Sequence, residues 1–230
     1  MSTSPIAAIF DRISPKYDAL NHLLSLNIDK VWRRKTALEV AKSRPKTILD
    51  LATGTADLAI ALAKYNPQAH IVGMDISEKM MEIGKEKVKQ QGLENQIELR
   101  LGDAASLPFD DNSFDVVTVG FGIRNFENRE QGLSEIHRVL KPNGHAVILE
   151  FSMPEKPPMK QLYRLYFKHF LPIIGKCVSK DPSAYTYLPR SVEAFPKPND
   201  FIRILVENEL KNGSAKNLSF GIATLYSATK

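Results

Sequence analysis

Cysteine is almost absent: Cys177 is the only one among 230 residues. No internal disulfide or multi-cysteine zinc site can therefore form, and Cys-pair redox chemistry is excluded. This usage suits a reducing compartment. Long apolar runs are missing as well. No stretch reaches the roughly 18 apolar residues of a spanning helix, and the opening MSTSPIAAIFDRISPKYDAL lacks the apolar centre of a secretory leader. The expectation is a protein that is neither secreted nor transmembrane. His22 and His137 have no partner at metal-ligand spacing, so no metal site is predicted. Repeats and low-complexity tracts are absent too. What is present is a composition of 43% apolar and 25% charged residues, enough for a sizeable core and against wholesale disorder. The length fits one α/β domain with an extension. A net charge of +5 is mild; it leaves anionic partners open and selects none.

The apolar pattern alternates as a parallel sheet with crossover helices does. Residues 46–53 read as a strand, 57–65 as a helix, and 69–77 as the next strand. A helix over 77–92 follows, with Ser77 as N-cap and Gly92 at its stop. Residues 97–103 and 114–122 make two more strands, 129–144 a helix ended by Pro-Asn-Gly, and 144–152 a fifth strand. Residues 153–196 are rich in Pro, aromatic and basic residues, as an insertion beside the sheet would be. A helix near 199–210 precedes two β-like runs in 215–228 that flank Phe220-Gly221 as a closing antiparallel pair. Helical segments in 5–43 could cover the sheet's carboxyl edge, where α/β sheets bind ligands.

The first strand runs into Asp50-Leu51-Ala52-Thr53-Gly54-Thr55-Ala56-Asp57, a turn that opens a helix and so faces a cofactor. A dinucleotide loop would show G-x-G-x-x-G; here Gly54 stands alone between carboxylates that would repel a pyrophosphate. A cofactor with an ammonium group and no phosphate fits better, because Asp50 and Asp57 could offer it charge-assisted hydrogen bonds. S-adenosylmethionine is such a molecule. Asp75, twenty positions after Thr55 at the second strand's end, has the spacing of an acid that holds ribose hydroxyls. Asp103-Ala104, at the third strand's end, offers a carboxylate and a backbone N–H to adenine. Each Asp alone is more often a cap or turn residue; three at successive strand ends carry the reading.

DLATGTADLA, VGMDIS, LGDAASLPFDDNSFDVVTVGFGIRN and EIHRVLKPNGHAVILEFSMP resemble the motifs of the menaquinone/ubiquinone biosynthesis C-methyltransferases. FDRISPKYDALNHLLSLNIDKVWRR and SFGIATLYSATK resemble that family's ends, so the likeness covers nearly the whole chain. The resemblance implies a class I S-adenosylmethionine-dependent methyltransferase fold, with a Rossmann-like seven-stranded sheet and one antiparallel strand near its edge. An N-terminal helical lid would span 1–43, and a methyltransferase domain 44–230 would carry the insertion. By motif position the resemblance places cofactor contacts at Thr55, Asp75, Asp103 and Ala104, beside Gly54 and Asp57. Ala56 departs from the glycine of many relatives, a change of little cost unless φ is positive there.

The implied reaction is C-methylation of demethylmenaquinol to menaquinol. Ring carbon attacks only when a hydroxyl proton has left, so the site needs a base or an oxyanion stabiliser. Arg124 and Asn125, beyond the fourth strand, are the expected partners of a quinol oxygen or a bound water, with Asp103 as an alternative proton acceptor; arginine itself is an unsuitable base. Tyr17 and Asn21, four apart on one helix face, and Trp32-Arg33 are lid candidates that would touch the ring. Interleaved aromatic and basic residues in 161–176 suit a lipid-tail groove or membrane surface as well as a plain core helix. Peripheral membrane contact and a homo-oligomer are further expectations, with no nucleic-acid partner. A nucleic-acid methyltransferase is disfavoured because the stretch after the fourth strand is Gly120-Phe121-Gly122-Ile123-Arg124-Asn125, without the Pro-Pro turn of amino-methylating enzymes, and Cys177 lies in the insertion. Methylation of the benzoquinol precursor of ubiquinone, a non-quinone acceptor and a non-catalytic scaffold are the alternatives.

Overall fold

The computed structural model describes residues 5–166 and 183–230. It begins with two helices, α1 (Pro5–Leu24) and α2 (Ile28–Ala41). Strand β1 (Thr47–Leu51), α3 (Asp57–Tyr65), β2 (His70–Asp75), α4 (Glu78–Gln90) and β3 (Ile97–Leu101) then alternate. After β4 (Phe114–Gly120) come a 3₁₀ turn (Ile123–Asn125), α5 (Arg129–Val139) and β5 (Leu140–Phe151). Helices α6 (Met159–Leu165), α7 (Ser183–Ala194) and α8 (Pro198–Glu207) precede the last strands, β6 (Lys211–Leu218) and β7 (Ala223–Thr229).

The seven strands form one sheet in the order β3-β2-β1-β4-β5-β7-β6. The first five are parallel, and β7 runs antiparallel to both β5 and β6. Both faces are covered, so the strands read as apolar runs rather than alternations. Ile48, Val116 and Val147 face the core under α2 and α3, while Leu49, Val117 and Ile148 face the core under α5 and α8. Chain order leaves β1 for β2 and β3, then returns to β4 on the other flank of β1. The carboxyl ends of β1 and β4 therefore diverge into a crevice, the place where open α/β sheets bind ligands.

Local signals explain most boundaries. Ser77 caps α4 by accepting the Met80 N–H at 3.3 Å, and Asn128 caps α5 through Gln131. One boundary differs from the sequence reading. Helix α5 stops at Val139, and Lys141-Pro142-Asn143-Gly144 belongs to a bulged start of β5, with Asn143 left-handed at φ +63°. The turn residues thus bend a strand onto β4 rather than end a helix. Of the lipid-groove stretch 161–176, residues 167–176 lie outside the described residues, as does Cys177.

Candidate active site

The loop after β1 is wound tightly. Ala52, Gly54 and Ala56 all take positive φ, at +51°, +57° and +65°. Ala56 therefore does carry the backbone penalty of a left-handed non-glycine residue. Across the crevice, Gly122 approaches so closely that a Cβ there would stand 2.4 Å from the Ala52 Cβ. These two loops form the floor of a cavity at the switch point. Its lining includes Tyr17, Gly54, Asp75, Asp103, Ala104 and Asn125, six of the nine residues expected from the sequence.

Asp75 ends β2. Its Oδ2 accepts the Gly54 N–H at 2.8 Å and its Oδ1 the Ser77 N–H at 2.8 Å, which fix the carboxylate at the cavity wall. Burial raises its pKa, opposed by those backbone bonds. Asp103 is exposed at the rim and accepts the Ala105 N–H at 2.9 Å, so it is both a turn residue and a wall residue. Among the described residues no Lys, Arg or His side chain lines this cavity, whereas Asp75, Asp103 and Glu127 do. The donor set thus fits a ligand with ribose hydroxyls and positive charge, and it offers no cation to a pyrophosphate.

Three expected residues lie elsewhere. Thr55 is buried and donates its hydroxyl to Asp18 Oδ1 at 2.6 Å, also receiving Lys87 Nζ at 3.3 Å. Asp57, at the first turn of α3, pairs with Lys87 and stands 3.6 Å from Arg33, away from the cavity. The flanking cations hold it there, outside the lining of the cavity. Arg124 is drawn under the wall: it pairs with fully buried Glu150 at 2.6 Å, bonds the Phe121 carbonyl and lies over the Phe151 ring. Its Nε is buried with no partner among the described residues. Asp50, the other acid of the loop, is buried in the sheet and accepts hydroxyls from Thr53 at 2.7 Å and Thr118 at 2.6 Å. Burial pushes it up to about 6 despite those bonds, and it does not line the cavity.

His22 is not isolated. Its Nδ1 lies 2.8 Å from Asp29, and ligand atoms of His22, Asp29 and Asp57 lie within 4.8 Å of one another. Arg33 and Lys87 already neutralise those carboxylates, so the group reads as a charge cluster.

The sequence reading missed how α1 is fastened. Asp11 accepts the Ser77 hydroxyl at 2.6 Å at the start of α4, where the helix dipole favours an anion. Asp18, seven residues on and so on the same face, accepts Thr55 and Lys87 at 2.6 and 2.9 Å. Ile6, Phe10 and Tyr17 are thereby laid over the cavity. The visible signal was the i, i+7 pairs Asp11/Asp18 and Phe10/Tyr17. Another missed residue is Tyr187 of α7, whose hydroxyl donates to Asn125 Oδ1 at 2.7 Å.

The chain matches the model of the ubiE/COQ5 methyltransferase family over residues 1–230. It is 48% identical over 225 residues to a demethylmenaquinone methyltransferase of Bacteroides fragilis, covering 98% of this chain and 92% of that one. A demethylmenaquinone methyltransferase of Chlorobaculum parvum is 46% identical over 100% of this chain and 94% of its own. A ubiquinone/menaquinone biosynthesis C-methyltransferase of Geotalea uraniireducens is also 46% identical, over 98% and 96%. Among solved structures, an S-adenosylmethionine-dependent methyltransferase described as putative, from Methanococcus maripaludis, superposes with a TM-score of 0.66 at 19% identity, over 97% and 91% of the two chains. At that identity the likeness speaks for the fold, a seven-stranded α/β sheet of the class I methyltransferase type.

Proposed function

The chain belongs to the ubiE/COQ5 methyltransferase family, and from that premise we propose that it transfers a methyl group from S-adenosylmethionine to a ring carbon of demethylmenaquinol, giving menaquinol. The observation that carries this reading is the near-complete coverage of relatives named for that reaction, joined to an acid-lined, cation-free cavity at the sheet's switch point.

When bound, S-adenosylmethionine supplies an electrophilic methyl group. Asp75 would accept the ribose hydroxyls, and Asp103 with the backbone of Ala104 would face the adenine. The protein must also make the ring carbon nucleophilic, which requires loss of a hydroxyl proton. Tyr17 is kept as a neutral phenol by burial, which raises its pKa, so it donates rather than abstracts. Asn125 has its carbonyl held by Tyr187, which leaves its amide N–H groups to aim at a quinol oxygen. Arg124, held under the cavity wall by Glu150 and the Phe121 carbonyl, would place its positive charge behind the oxyanion without touching it. The hydroxyl proton would leave to water at the cavity rim. α1 lays Ile6, Phe10 and Tyr17 over the cavity and so keeps bulk solvent from it.

No helix among the described residues is long and apolar enough to cross a membrane. Half-exposed Leu162 and Leu165 on α6 support peripheral contact with the bilayer that holds so apolar a substrate. Binding to anionic vesicles at low salt would be seen by pelleting, and its absence would remove the membrane contact.

The test of function is incubation with labelled S-adenosylmethionine and, separately, reduced demethylmenaquinone and the demethylated ubiquinone precursor. Label in the naphthoquinol is expected. Label in neither, with cofactor binding intact, overturns the assignment. The Geotalea relative's name, which covers both quinones, favours the benzoquinol as the second reading.

A further inference from the structure

Beside the methyl-donor cavity lies a second one, of about 250 Å³, whose walls are almost wholly apolar. Trp32, Phe151, Met159, Leu162, Leu188 and Ile222 form most of it. The two cavities share partitions. Phe121 lines the first and Phe151 the second, and their rings stack at 4.4 Å. Tyr17 lines the first and Asn21 the second, one helical turn apart on α1 and joined by a side-chain hydrogen bond. Arg124 lies over the Phe151 ring at this junction.

The mouth of the second cavity is built at a local cost. Leu26, in its wall, is 77% exposed and left-handed at φ +51°. Bulky side chains rarely adopt that conformation, and an exposed leucine gains nothing from it. Phe220, 82% exposed at φ +59°, follows Ser219, which accepts the Trp32 indole N–H at 2.9 Å. These are the two most exposed large apolar residues among those described. Leu162, another wall residue, is 54% exposed.

We propose that this second cavity binds the polyprenyl tail of the quinol, entering past Leu26 and Leu162 while the ring sits at the junction by Tyr17, Phe121 and Arg124. The occupant follows from continuity: a ring at the donor cavity has a substituent to place, and the adjoining space offers apolar walls with almost no polar groups. This inference rests on the quinol reading above for the identity of the tail.

Trp32 is the only tryptophan in the chain, so all tryptophan emission comes from this wall. Titration with farnesol, an isoprenoid alcohol without a quinone ring, is expected to shift Trp32 emission in a saturable way. Leu162→Asp, at a half-exposed position where folding tolerates charge, is expected to weaken that binding about tenfold. The same variant should lower the preference, in kcat/KM, for a prenylated over a tail-less naphthoquinol by a similar factor. No saturable shift in the wild type, or equal farnesol binding by the folded variant, overturns the proposal. Farnesol binding without methyl transfer to any quinol would instead refute the quinol reading and leave an isoprenoid site standing.

Discussion

Replacing Gly122 with alanine tests the most constrained contact of the site. The added Cβ would lie 2.4 Å from the Ala52 Cβ, more than 1 Å inside the distance at which two carbons attract. Neither atom can rotate away, because each is fixed by its own backbone. The loops after β1 and β4 must therefore separate, and overpacking of this kind costs about 1–3 kcal/mol. Gly122 itself sits at φ −111°, open to any residue, so the cost is steric and removable. Ala52→Gly takes away the opposing methyl. Alone it should be nearly neutral, since relief of about 1 kcal/mol at φ +51° is offset by a freer unfolded chain. Combined with Gly122→Ala it should recover most of the loss. Urea and thermal unfolding of the four proteins give the cycle. Expected is a Tm roughly 2–12 °C lower for Gly122→Ala, with weaker cofactor binding because both loops line the cavity, and near-wild-type values for the pair. A Gly122→Ala protein as stable as wild type, or a double variant no better than the single one, would refute the reasoning.

Asp75→Asn keeps the shape but loses a charge-assisted acceptor, so calorimetry should show cofactor binding about 10–100-fold weaker with stability little changed. Arg124→Ala strands the buried Glu150 carboxylate and should cost about 3–5 kcal/mol in chemical denaturation, most of it recovered by adding Glu150→Gln. Turnover should remain low in that double variant if Arg124 acts on the substrate oxygen. Asp50 is raised from 3.8 to about 6, so the folded state binds more protons than the unfolded one between those values. Its contribution to stability is therefore greatest below pH 4 and is lost as pH rises through 6. Asp50→Asn should flatten that part of the stability profile and leave a more stable protein at pH 7; an unchanged profile would refute the assignment.

The sheet's centre was legible because both its faces are buried, which turns β1, β2, β4 and β5 into apolar runs bounded by polar turns. Those strands could be placed from that alone. Asp75 and Asp103 were legible for a related reason: a strand end fixes where a side chain goes, and twenty residues of helix and strand bring Asp75 back beside Gly54. The placement of Thr55 and Asp57 was not legible because their partners, Asp18, Arg33 and Lys87, come from 30 or more residues away or from another element. Spacing within the loop cannot report such partners. The positive φ of Ala56 was hidden similarly, since alanine advertises no left-handed turn. Lys141-Pro142-Asn143-Gly144 reads as a helix stop in isolation, and only pairing with β4 makes it a bulge.

Charge explains why chemically identical acids end in different roles. Asp57 meets Lys87 and Arg33, and Asp18 meets Lys87, so these carboxylates fasten α1 to α4 and α3 to both α2 and α4, while Asp29 pairs with Arg33 within α2. Asp50 meets only hydroxyls and is held partly protonated inside the sheet. Asp75 and Asp103 meet backbone N–H groups and no side-chain cation, and they alone of these acids face the cavity. A wall that carries acids and, among the described residues, no cation attracts a sulfonium with its ammonium group and repels phosphates. That attraction diminishes once the methyl group has left and the sulfonium charge with it, so the same wall that gathers the donor favours release of the spent one. The selectivity against dinucleotides therefore lies in where the lysines and arginines were placed, outside the crevice, as much as in the acids within it.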